Sequence, residues 1–245
     1  MYFANLHFFS YYQTDTIKYK VSIPHQYILS YKIDDLDMLD HILIDSLISD
    51  SMKTWHVEVQ PIKVEPNPLM FLGIFKNLSV PQMRTIVVPK EYKSKEREYL
   101  NDWYLRIIEN SRGLDSVSIS KIDKITAGLT DPYEITDTLY SFVKTAFKYV
   151  AVEIGMGAFV PTNVNKVYIN KQGDCKDLST FLSEALSYKG VTSHVAMAAT
   201  FNHISDCNFP SLGSANHLIC TALIDGELFL LDPTDPIHVR GTPVE

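Results

Sequence analysis

The chain has 245 residues, 46% hydrophobic and 21% charged, a globular balance with room for one large domain or two ordinary ones. A net charge of -7 and the lack of any Lys/Arg cluster argue against a nucleic-acid surface. Three cysteines are too few, and odd in number, for a disulfide framework, and no stretch reaches the roughly 18 apolar residues of a membrane span.

Met1 to Ser10 has neither the basic start nor the cleavage pattern of a signal peptide; a periplasmic or secreted location stays open for a longer parent chain. From Asn5 to Val88 the pattern is mostly strand. Thr16 to Ile23 alternates apolar and polar residues until Pro24, and Thr54 to Val59 alternates ahead of Pro61, Pro66 and Pro68. Leu39 to Ile48 reads as a strand or as a short helix. Residues 1–90 are therefore expected to form a β-rich N-terminal domain and residues 91–245 a second, helix-containing domain. Lys90 to Arg97 is a solvated run in which lysines and glutamates interleave, and Lys93 to Ser111, without proline or glycine, carries Tyr99, Leu100, Trp103, Tyr104, Ile107 and Ile108 at helical spacing. Ser120 to Ala127 predicts a short helix. Asp131-Pro132 opens another that runs to Phe147, with proline in the first turn. Gly155, Gly157 and Pro161 mark a loop.

The next helix starts at Cys175. Leu178, Phe181, Leu182, Ala185 and Leu186 form one apolar stripe, Asp174 suits the N-cap and Gly190 the stop. Cys175 lies on the same stripe, in the first turn, where the positive end of the helix dipole favours an anionic sulfur. Alone, it would read as a buried, inert cysteine. Val191 to Ala199 predicts a strand, Phe201 to Gly213 a loop, and His217 to Ile224 and Glu227 to Asp232 two strands joined by the hairpin turn Asp225-Gly226.

That turn sets a register. With Ile224 opposite Glu227, paired positions sum to 451, so Asp232 faces Ile219, which shares a side with His217. His217 and Asp232 are then diagonal neighbours, roughly 7–8 Å apart at the backbone and within side-chain reach. A thiol at a helix start, an imidazole and an aspartate to orient it supply nucleophile, base and orienter, in the order Cys175, His217, Asp232. His203 imitates the motif but falls in a loop, 29 residues before Asp232 where His217 is 15 before it. A zinc set of His203, Cys207, His217 and Cys220 is opposed by strand parity, because residues three apart point to opposite faces. Cys220 is then a core residue and Cys207 a free loop thiol.

Four motifs in order resemble the transglutaminase-like superfamily, in its bacterial branch with a preceding β-rich domain. They are Tyr149-Val150 with Glu153, Gly155 and Gly157; Gly173-Asp174-Cys175-Lys176-Asp177; Asn216-His217; and Leu231-Asp232-Pro233-Thr234. The resemblance implies an α+β, papain-like core of helices packed on an antiparallel sheet. It implies that Cys175, His217 and Asp232 are catalytic, that a peptide or protein is the substrate, and that no cofactor or metal takes part. The reaction expected is hydrolysis of peptide or carboxamide bonds through a thioester. Cross-linking transamidation and a non-catalytic binding or assembly module are the alternatives. Hydrolysis is favoured because Gln172 and Ala215 replace the larger side chains usual beside the nucleophile and base, and because charged Lys176 and Asp177 follow Cys175, which together suggest a wide, wet cleft.

Overall fold

The computed structural model describes residues 2–63, 81–151, 155–200 and 208–242. The chain divides into two compact units, Met1–Trp103 with Phe201–Asn216, and Tyr104–Thr200 with His217–Glu245.

In the first unit, β1 (Tyr2–His7) is followed by the two-residue β2 (Phe9–Ser10), then β3 (Ile17–Pro24), β4 (Tyr27–Asp34), β5 (Ile42–Ile48), β6 (Met52–Val59), the short β7 (Ile62–Lys63) and β8 (Gln82–Pro89). Two antiparallel three-stranded sheets result, in the orders β1-β8-β4 and β3-β6-β5. The alternation of β3 buries Val21 and Ile23, which join Phe8, Leu29, Trp55, Val57, Val59 and Met83 in one core. The ambiguous 39–48 stretch is a strand from Ile42, paired along β6 in register Ile42↔Val59, with Ile42 and Ile44 against that core.

Strand β8 lies in the middle of its sheet and is buried on both faces, so it contains a buried charge. Arg84, fully buried, makes a bidentate bond to Asp34 at 2.6 and 2.7 Å and donates to the Ser214 hydroxyl at 2.7 Å. Ser211 donates to the Thr85 carbonyl, and the Asn5 amide donates to the Gly213 carbonyl. A Cβ on Gly213 would stand 2.4 Å from Asn5 Oδ1, so only glycine permits that approach. Segment 208–216 is thereby tied into the β-rich unit.

Helix α1 (Glu96–Ile108) is followed by α2 (Ser116–Ile125), α3 (Pro132–Ala146), β9 (Lys148–Tyr149), α4 (Val164–Asn170), β10 (Gln172–Gly173), α5 (Cys175–Tyr188), β11 (Thr192–Ala198), β12 (His217–Ile224) and β13 (Glu227–Leu231). The last three form an antiparallel sheet in the order β11-β12-β13. Helix α5 packs on that sheet with the expected stripe: Leu178, Phe181, Leu182, Ala185 and Leu186 are all at most 1% exposed. The leucine and phenylalanine side chains each contribute roughly 1.5–3 kcal/mol by burial. Phe181 also stacks on Tyr168 of α4 and meets Phe147. Helices packed on an antiparallel sheet, with a β-rich unit before them, are the α+β architecture expected.

Three local differences appear. Helix α2 starts at Ser116, capped by Asp115, rather than at Ser120. Helix α4, seven residues capped by Asn163, occupies a stretch with no expected element. The two-residue parallel bridge of β9 with β10 was equally unforeseen. Among the described residues no helix is long and apolar enough to cross a membrane.

Candidate active site

The start of α5 is held by a capping box. Asp174 accepts from the Asp177 N–H, and the Asp177 carboxylate accepts from the Asp174 N–H, each at 3.2 Å. The other Asp177 oxygen accepts from the Thr162 N–H at 2.6 Å, and Lys176 pairs with Asp174. Asp174, Lys176 and Asp177 are all buried. Burial, and then the Asp174 carboxylate, push Asp177 above the usual carboxylate range. This corrects one expectation, because Lys176 and Asp177 do not wet a cleft; they are used up in fixing the helix start. A Cβ on Gly173 would lie 2.5 Å from Asp177 Cβ, so the glycine is a condition of the box. The β9–β10 bridge sets Tyr149 against Gly173, and Val150 N–H donates to the Gly173 carbonyl. Two motifs distant in sequence therefore meet here.

Cys175 is half-buried at the first position of α5. One turn on, Ser179 donates to the Leu218 carbonyl at 3.0 Å, which fixes the helix against the strand residue next to His217. The hairpin has the expected register, Ile224↔Glu227 through Cys220↔Leu231, and Asp225 and Gly226 have φ of 53° and 81°, as a primed turn requires. His217 Nε2 lies 2.7 Å from Asp232 Oδ2, and the Cys175 thiol hydrogen-bonds the same imidazole. The structure thus brings Cys175, His217 and Asp232 together. The other Asp232 oxygen accepts from the Thr234 N–H and hydroxyl at 2.9 and 2.7 Å. Sequence reasoning quoted Thr234 only as part of a motif; an Asp followed two residues later by Thr is the turn signal that could have given it this role.

The electrostatics follow from these contacts. Burial alone would lower the His217 pKa, but bonds to Asp232 and Cys175 outweigh it and raise it to about 10. Asp232 is lowered, because His217 and Thr234 outweigh its burial. An Nε2–H directed at the carboxylate leaves Nδ1 to take the thiol proton. Burial pushes Tyr104 well up, reinforced by Cys175, Asp174 and Asp177, so its phenol stays protonated in the field of the site. Cys220 is fully buried in the core, and burial pushes its thiol up. Glu153, His203 and Cys207 lie outside the described residues. Among the described residues no cluster of His, Cys, Asp and Glu is placed to hold a metal.

A helix opened by cysteine, packed on an antiparallel sheet whose hairpin carries His217 and leads into Asp232, is the arrangement the motifs implied. The crystal structure of a "putative protease" from Parabacteroides distasonis is similar in fold, with a TM-score of 0.72 and 15% identity over 93% of this chain and 42% of that one. The chain shares that neighbour's fold. It spans about two fifths of that neighbour's length. A "putative cysteine protease" from Cytophaga hutchinsonii (TM-score 0.38, 13% identity, 95% of this chain and 71% of that one) and a "TGase" (0.33, 12%, 84% and 46%) are more distant. No family model and no curated protein matches the chain.

The second unit should show the His217 linkage in its stability. The folded imidazole is held above its unfolded value of 6.5, so the stability it brings is complete below pH 6.5 and is lost as pH rises towards about 10. In urea unfolding, the stability of the wild-type chain relative to His217→Gln should fall across that window. Parallel curves would contradict the ion-pair geometry.

Proposed function

We propose that this chain is a cysteine hydrolase of the transglutaminase-like kind, acting on peptide or carboxamide bonds of a peptide or protein substrate. The observation that carries the reading is one imidazole, that of His217, bonded to Asp232 on one side and to a helix-start thiol on the other. His217 accepts the Cys175 proton at Nδ1, and the sulfur attacks the substrate carbonyl carbon. The backbone N–H of Cys175, at the helix N-terminus, is the candidate donor to the developing oxyanion. The imidazolium then protonates the departing amine, leaving a thioester on Cys175. Water, deprotonated by His217, attacks the thioester, and the acid leaves as the thiol regains its proton. Asp232 keeps the ring oriented and compensates its charge.

Water rather than an amine is assigned as the second nucleophile because Gln172, beside the nucleophile motif, is an exposed polar residue instead of an apolar wall. The test supplies a pool of glutamine- and asparagine-containing peptides with excess primary amine and follows products by mass. Free acid or cleaved peptide should dominate with the wild-type chain and vanish with Cys175→Ala. Dominance of the amine-coupled product would overturn hydrolysis while leaving the thioester in place.

A further inference from the structure

The Asp232 carboxylate is aimed by Thr234 and His217, but its main chain is held by a different group. The Tyr140 hydroxyl, from the middle of α3, lies 2.7 Å from the Asp232 carbonyl oxygen and 2.7 Å from His238 Nδ1. The far ring nitrogen, Nε2, lies 3.0 Å from the Thr242 carbonyl oxygen. Lys144, one turn along α3, donates to the His238 carbonyl. Tyr140 and His238 are 4% and 5% exposed, so bulk water does not replace a missing bond.

The protons can be counted. Both carbonyl oxygens only accept, so Nε2 needs a proton for Thr242 and Tyr140 gives its single hydroxyl proton to Asp232. The third contact, between the Tyr140 oxygen and Nδ1, then needs a proton on Nδ1 as well. All three bonds form together only when the His238 ring carries both protons. With one ring proton, Tyr140 must turn towards Nδ1 and release the Asp232 carbonyl, or leave a buried contact without its hydrogen. The phenol remains a donor throughout, since burial and then the Asp232 and Asp235 carboxylates push it up. Beside the ring, the Asp232 and Asp235 carboxylates act on the Tyr140 phenol, Lys144 of α3 donates to the His238 carbonyl, and Arg240 is occupied by Asp137, at 2.7 and 2.9 Å.

We infer that Tyr140 and His238 form a clamp on the Asp232 main chain, complete when His238 carries both ring protons, which sets how firmly Asp232 holds His217. The inference rests on the triad reading above, and it makes Tyr140 a positioning residue rather than a catalytic one.

The test uses the whole chain. Ring nitrogens of His238 are followed by NMR at pH 5 and pH 9, alongside the rate of Cys175 labelling by iodoacetamide in wild type, Tyr140→Phe and Asp232→Asn. Where the His238 ring shows two protons, Tyr140→Phe should label about tenfold more slowly than wild type; where it shows one, the deficit should shrink, because the wild-type clamp is then released. A purely structural tyrosine would give the same deficit in both ring states. A deficit that does not follow the ring state, or a ring with a single proton at both pH values, overturns the clamp. An unaltered rate in Asp232→Asn overturns the triad reading and with it the clamp's role; a slowed Asp232→Asn beside an unaltered Tyr140→Phe overturns the clamp alone.

Discussion

His217→Ala is expected to slow iodoacetamide labelling of Cys175 at pH 6 by about a hundredfold or more. At that pH the wild-type imidazole is charged, its pKa being raised to about 10, and it bonds the sulfur directly. Without that counter-ion nothing on the imidazole side favours the anionic sulfur that the reagent attacks. Cys220 supplies the internal control, since it is fully buried and its thiol is pushed up by burial, so it should stay unlabelled in both forms. His203→Ala should label at the wild-type rate. The reverse pattern, with His203 required and His217 dispensable, would sink the assignment of the base.

The largest expected loss of stability is that of Asp34→Ala. Arg84 is completely buried, and Asp34 supplies both of its carboxylate bonds. Removing one partner of such a pair leaves an uncompensated charge in the interior and costs about 3–5 kcal/mol. The paired replacement Arg84→Met with Asp34→Leu removes both charges and should recover most of that loss, since an apolar pair of similar volume is near neutral. Urea unfolding of the three forms checks this. A loss below about 1 kcal/mol for Asp34→Ala would mean that Arg84 is neutralised by other means.

The parts of this molecule that were legible are those governed by local rules. Asp225-Gly226 forces a primed turn, the turn forces the register, and the register places His217 near Asp232. The stripe from Leu178 to Leu186 and its Asp174 cap gave helix α5 almost to the residue. What was missed depends on distant partners or lies below the length at which periodicity is visible. Helix α4 has seven residues and is stopped by Lys171 in a left-handed conformation, where no glycine announces the end. Lys176 and Asp177 look like solvated charges in a list of residue types. Only the reciprocal bonds of Asp174 and Asp177, and the Thr162 N–H brought in from another loop, show that they are interior. Tyr140 carries no signal at all, because its role depends on an aspartate 92 residues away. Arg84 in an apolar strand could have been questioned, since a charge on a central strand needs a partner.

The tie between segment 208–216 and the β-rich unit has a bearing on inheritance. The chain leaves the second unit after β11, contributes a stretch anchored by Asn5, Arg84 and Thr85, and returns at β12. The β-rich unit is thus encoded in two separated pieces, and no single recombination breakpoint can transfer it whole. A gene truncated to begin at Tyr104 would keep Ser211, Gly213 and Ser214 while losing every side chain and carbonyl that those residues bond across to. Changes at Asn5, Arg84 or Thr85 must therefore be matched by changes some 120 residues or more downstream, so the two stretches are expected to vary together among descendants of this gene.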